Sequence, residues 1–187
     1  MTRRPRLPIP QPVLRFFQDC RGVAAIEFAF VAPVLIIAYL GMAELTMGIM
    51  AARKTSHLAA TIGDLAAQSD NLTMTNIGDL WTIGASMLAP FDTTIGLKMR
   101  LTEVSTDAND KATVSWSRAN ANWTAYANNQ AMPQITSAQM SANQSLIMTQ
   151  VEYDWVSPFG KFLPGTTAFT YTFYHHPRNG AQVTQIG

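Results

Sequence analysis

The sequence predicts an α+β protein, with a long N-terminal helix, membrane-spanning in its first half, packed on an antiparallel sheet of about four strands. Three observations lead there. The run Val23–Ala43 contains no Lys, Arg, His or Asp. The stretch after it, to about Gln68, has no proline and is rich in the good helix formers Ala, Leu and Met. From Leu97 onward several segments alternate apolar and polar residues with period two, the pattern of half-buried strands.

The first 22 residues form a basic leader. Arg3, Arg4, Arg6, Arg15 and Arg21 stand against one acid, Asp19, while the rest of the chain carries eight Lys or Arg against eleven Asp or Glu. The overall charge of +1 therefore hides an asymmetry. By the positive-inside rule the arginines stay in the cytoplasm and the C-terminal domain crosses the membrane. A basic arm is also a form that binds nucleic acid, but here the cluster abuts an apolar span, and no nucleic-acid partner is expected. Pro5, Pro8, Pro10 and Pro12 make the segment extended rather than packed. Cys20, the chain's one cysteine, precedes the apolar run, whereas a lipid-carrying cysteine would follow it. It has no intrachain disulfide partner.

As a helix, Val23–Ala43 would rise roughly 30 Å, about the hydrocarbon thickness of a bilayer. Pro33 has no N–H to give the carbonyl of Ala29, so a kink is expected there. Glu27 is more informative, because a carboxylate in the bilayer interior costs on the order of 2.5 to 3.5 kcal/mol and calls for a partner. Cleavage between Gly22 and Val23 would supply one: Glu27 would lie one helical turn from a new ammonium group. The small residues Gly41 and Ala43 leave open a competing cut by an ordinary signal peptidase before Glu44.

The basic leader, Gly22, four apolar residues, Glu27, Phe28 and the long apolar helix together resemble a type IV prepilin. The fuller text Gly22-Val-Ala-Ala-Ile-Glu-Phe-Ala, with Pro33 beyond it, resembles the TadE-like pseudopilins of tight-adherence (Tad/Flp-type) pilus systems. The resemblance is sharpest over residues 16 to 65. It implies a minor pilin or pseudopilin in a Tad-type pilus or a related type II secretion-like machine. The small fibre subunits of such systems tend to carry Tyr where this chain has Phe28, and they are far shorter, so the larger pseudopilins fit better. Implied partners are a prepilin peptidase, other pilin or pseudopilin subunits, the pilus assembly platform and the membrane. The implied place is the bacterial inner membrane, single-pass, with the N-terminus cytoplasmic and the C-terminal domain periplasmic; incorporation in the pilus is admitted too. Gly22 and Val23 would flank the peptidase cut, and Glu27 and Phe28 would serve processing and assembly. Larger relatives can carry a metal-binding Asp-x-Ser-x-Ser run, which does not occur here.

The remainder, 44–187, is read as one extracytoplasmic α+β domain with the helix continuing to about 68, the stem of a lollipop-shaped molecule. Leu58, Ile62 and Leu65 fall at i, i+4 and i+7 and make an apolar seam on that helix. Ser69-Asp70-Asn71 is a break, after which Thr75 is expected to cap a second helix with Ile77, Leu80, Trp81, Gly84 and Leu88 on one face. Ala89-Pro90-Phe91-Asp92 ends it. Ile95, Leu97, Met99 and Leu101 mark the first strand, and Val114 and Trp116 the second, across the turn-prone Thr106–Asp110. Asn120–Ser145 lacks periodicity and reads as an excursion with one or two weak helical turns. Ile147, Val151, Tyr153 and Trp155 share a face of the third strand, and Phe169, Tyr171 and Phe173 a face of the fourth. Pro158, Gly160, Pro164 and Gly165 loop between them. The aromatics from Trp155 to Tyr174 are read as sheet core rather than a carbohydrate platform.

Chemistry is sparse. Adjacent His175 and His176 point to opposite faces of a strand, and His57 stands alone on a helix. Glu152 and Asp154 share a face and invite a cation or acid–base reading, though acids on an outer strand face are usually only solvated. No phosphate loop, nucleophile elbow or Cys/His cluster is present. The expectation is a non-enzyme without cofactor or metal. The competing class is an unprocessed, single-pass, membrane-anchored periplasmic binding module or enzyme, for which the span is only a tether.

Overall fold

The computed structural model describes residues 22–94, 96–136, 138–160, 165–178, 180 and 182–186. The leader up to Arg21, and Ile95 and Pro164 among the expected strand and loop residues, lie outside these. The chain divides into two units, Met1–Ala43 and Glu44–Gly187.

Helix α1, Val23–Ala67, begins in the first unit and ends in the second. Within the first unit its side chains are exposed on every side: Phe28 is 70%, Phe30 76%, Val34 65% and Tyr39 72% accessible. A helix apolar all round matches a lipid solvent rather than a protein core on one side. Its length and composition suffice to cross a membrane.

From residue 44 the same helix buries one stripe: Glu44, Gly48, Ala51, Thr55, Leu58, Ala59, Ile62 and Ala66. Steps of three and four residues hold these on a single face. The buried seam does not run through Leu65. Leu65 is 36% exposed and lines an open hollow with Leu72, Leu80 and Ile83, because the following elements pack around Ile62 and Ala66 instead.

Strand β1, Asn71–Thr73, leads into α2, Met74–Met87. The cap is Thr73, not Thr75. Its hydroxyl accepts from the Asn76 N–H at 3.1 Å, while Asn76 Oδ1 accepts from the Thr73 N–H at 3.1 Å. Asn76, three residues on, completes a reciprocal box that Thr75 does not form here. Ile77, Leu80 and Leu88 then join the core, as their spacing predicts.

The main sheet holds β2 (Leu97–Thr106), β3 (Ala112–Ala119), β4 (Ser145–Val156) and β5 (Thr166–His175) in the order β3-β2-β4-β5, antiparallel throughout. On the face toward α1 and α2 lie Leu97, Met99, Leu101, Ile147, Val151, Tyr153 and Trp155, with Phe169, Tyr171 and Phe173 half-buried beside them. Gly63 permits the close approach of α1 to this face. A Cβ there would sit 2.4 Å from His175 Nδ1 and 2.6 Å from Thr149 Oγ1.

The excursion after β3 contains no helix among the described residues. It covers the other face of the sheet, where Met132, Ile135 and Met140 pack with Val104, Val114, Leu146 and Met148 in a second cluster. Arg100 fastens it. The guanidinium lies 4.3 Å from the Trp123 ring and 3.7 Å from the Tyr126 ring, and donates to Gln150 Oε1 and the Thr124 carbonyl. Such cover needs side chains at scattered positions, which explains why no period betrays it. A second small sheet pairs β1 in parallel with β6, Thr184–Ile186.

β6 is moored through a buried acid. Glu103, 2% exposed, accepts from the Val183 N–H at 2.9 Å, and Trp116 Nε1 donates to the Val183 carbonyl at 2.7 Å. Burial pushes the Glu103 carboxyl up to about 7, against the pull of those hydrogen bonds. A folded-state pKa above the unfolded one means stability fully present below about pH 4.5 and lost as pH rises through 7. The slope between those limits is at most about 1.4 kcal/mol per pH unit. Burial lowers His175, which acts in the opposite sense on the acid side, so the wild-type profile alone mixes the two. Glu103→Gln keeps an oxygen for Val183 but cannot ionise. Urea midpoints of the two proteins should converge near pH 4.5 and separate toward pH 8, with the variant the more stable; parallel profiles would refute the titration of Glu103 in this range.

Candidate functional site

The residues singled out in the sequence fall into two groups, and the structure treats them differently. Gly22, Val23, Glu27, Phe28 and Pro33 lie together at the start of α1 or immediately before it. Val23 and Glu27, four residues apart, occupy one helix face about 6 Å from each other. Phe28 is among the most exposed side chains, and Pro33 lies inside the helix. Among the described residues, a Cβ added at Gly22 would meet nothing within 4 Å.

The second group is dispersed. Glu152 and Asp154 do share a strand face, and Lys98 on the neighbouring strand takes the place of a cation: its Nζ lies 2.6 Å from Glu152 Oε1 and 3.0 Å from Asp154 Oδ2. The two carboxylates raise the Lys98 pKa above its ordinary value. With roughly a quarter of each side chain exposed, this triad contributes modestly to stability. His175 is half-buried beside Phe173, with ring centroids 6.4 Å apart, while His176 and His57 are exposed. Among the described residues no group of three or more His, Cys, Asp or Glu is placed to hold a metal ion.

One residue that the sequence reading passed over is Glu44. It stands next after the apolar run, is completely buried, and accepts a hydrogen bond from the Ser157 hydroxyl. The available signal was position alone, since Glu44 is the first acid after the span. Its partner is 113 residues away, beyond the reach of any local pattern.

Against known proteins, residues 22–63 match the family model described as TadE-like protein. The match begins at Gly22, takes in the whole apolar run and continues along the buried stripe of α1. It is consistent with a TadE-like pseudopilin of Tad pili. No curated protein and no solved structure matches the chain.

Proposed function

We propose that this chain is a minor pilin or pseudopilin of a Tad-type pilus or a related secretion machine. It is held in the cytoplasmic membrane by Val23–Ala43, with its N-terminus cytoplasmic and the domain 44–187 periplasmic. A prepilin peptidase trims it after Gly22, and it joins other pilin-like subunits on the assembly platform. The role is structural; the bond-breaking step belongs to the peptidase.

The observation that carries this reading is one coincidence. The TadE-like match starts at the glycine that stands five residues before the lone acid of the otherwise apolar, exposed run Val23–Ala43. A single-pass anchor needs neither residue. No described residue crowds Gly22, and its small size suits a peptidase that must approach the backbone closely. Cleavage frees the Val23 amine one turn from Glu27, and the two charges then offset each other's desolvation in lipid or against a neighbouring subunit.

Sequencing the amino terminus of the protein from its native host tests this directly. Val23 is the expected first residue. Met1 would leave only a tethered domain, and Glu44 would indicate an ordinary signal peptidase. Gly22→Leu should retain the leader and run visibly larger on a gel; normal trimming of that variant would remove Gly22 from the proposed role.

A further inference from the structure

We propose that the tip between β4 and β5, Val156–Phe159, is a second membrane contact, its apolar side chains entering the interfacial layer of the bilayer that Val23–Ala43 crosses. The inference rests on the reading of that run as a membrane span.

Position comes first. Glu44 is joined covalently to Ala43, the last residue of the apolar run. Its buried carboxylate accepts from the Ser157 hydroxyl, and Ser157 Oγ in turn accepts from the Gly160 N–H at 3.0 Å. Gly160 has φ 57°, a conformation open to glycine, which turns its N–H back onto Ser157. The tip is thus fastened at the first residue past the span, and the covalent bond between residues 43 and 44 brings it to the membrane boundary.

Composition agrees. Val156 is 65% and Phe159 40% exposed, Pro158 is exposed between them, and Val156–Gly160 holds no ionisable group. Connections between strands ordinarily carry polar residues to water. The opposite end of the sheet does so: register places Thr106 with the Ser145 end of β4, and the turn there exposes Asp107, Asn109, Asp110 and Lys111. The two ends of one sheet differ in solvent preference, and the apolar end is the one tied to residue 44. An open hollow of about 550 Å³ beside the tip is lined mainly by apolar residues, Met47, Pro90, Phe91 and Val156 among them, with the acids Asp92 and Asp154 also on its wall.

The contact is hydrophobic. Val156–Phe159 carries no charge; Asp154 before it is paired with Lys98, and Lys161, two residues past Phe159, is the one base of the connection. A single lysine contributes only about 1 kcal/mol toward an anionic surface, so binding by the apolar side chains should need neither anionic lipid nor low salt. Aromatic side chains favour the interfacial layer. A domain on one helix swivels about it; a second contact selects the face it presents to neighbouring subunits.

The test uses the full chain with Cys20→Ser, carrying single cysteines by Val156→Cys, Phe159→Cys, Ile36→Cys or Asn109→Cys, each labelled with an environment-sensitive fluorophore and reconstituted in phosphatidylethanolamine–phosphatidylglycerol vesicles. Labels at 156 and 159, each retaining the other apolar residue, should be shielded from iodide several-fold relative to 109 and quenched by shallow spin-labelled lipids. The shielding should persist in phosphatidylcholine vesicles and in high salt. If the labels at 156 and 159 are as open to iodide as that at 109 while 36 lies in lipid, the tip contact is wrong and the span reading stands. If 36 itself is in water, the span reading fails and takes the tip with it. Shielding abolished by salt would overturn the hydrophobic character proposed.

Discussion

Glu27→Ala should leave insertion intact while reducing incorporation into the assembled machine by at least about a hundredfold. Insertion does not suffer, because the carboxylate removed stands at the fifth residue of the run and costs at most the roughly 2.5 to 3.5 kcal/mol of a helix centre. Assembly loses, because the new Val23 ammonium is left without its counter-charge where subunits meet in apolar surroundings. Removing one partner of a buried ion pair costs about 3–5 kcal/mol, which sets the size of the effect. Glu27→Gln keeps the shape and a hydrogen-bonding oxygen but no charge, so it separates pairing from packing and should fail nearly as badly. The measurement is the amount of variant recovered with its partner subunits, normalised to the amount in the membrane. Wild-type recovery of either variant would refute the pairing.

Trp155→Ala should lower the unfolding free energy of the domain by about 3–5 kcal/mol, the range for emptying a large aromatic site in a core. Trp155 is 2% exposed, the largest fully buried side chain described, and its ring lies 6.4 Å from that of Phe169 on the next strand. It sits in the cluster that joins β2, β4 and β5 to α1 and α2, so the cavity would open where helices and sheet meet. Trp155→Phe should recover much of the loss by retaining an aromatic ring at that site. Denaturant midpoints of the three proteins, compared at constant slope, check both claims. A loss under about 1 kcal/mol for the alanine variant would mean that the site collapses or admits water, contrary to the close packing described.

Both predictions draw on residues visible in the sequence, but by different routes. Glu27 stands out because it interrupts an apolar run, and Trp155 because it continues an alternation with Ile147, Val151 and Tyr153. Period two and period 3.6 are local properties, so β2 to β5 and both helices were legible. Leu65 shows where periodicity stops. It belongs to the arithmetic of the seam, yet neighbours distant in sequence leave it half-open. Glu152 and Asp154 show the same for charge. Two acids on one strand face are readable, whereas the lysine between them lies 54 residues from Glu152 and is placed by strand order alone.

From residue order alone came an apolar stretch long enough to cross a membrane, the lone acid within it and the α+β class of the fold, because each of these follows from solubility and spacing along one continuous segment. It took the folded chain to show that Met132, Ile135 and Met140 of the excursion cover the other sheet face, that β1 and β6 pair in parallel, and that Glu44 is buried against Ser157. These depend on burial contributed by segments dozens of residues away. A polar side chain that finds its hydrogen-bond partner across the fold carries no mark of that in its neighbours along the chain.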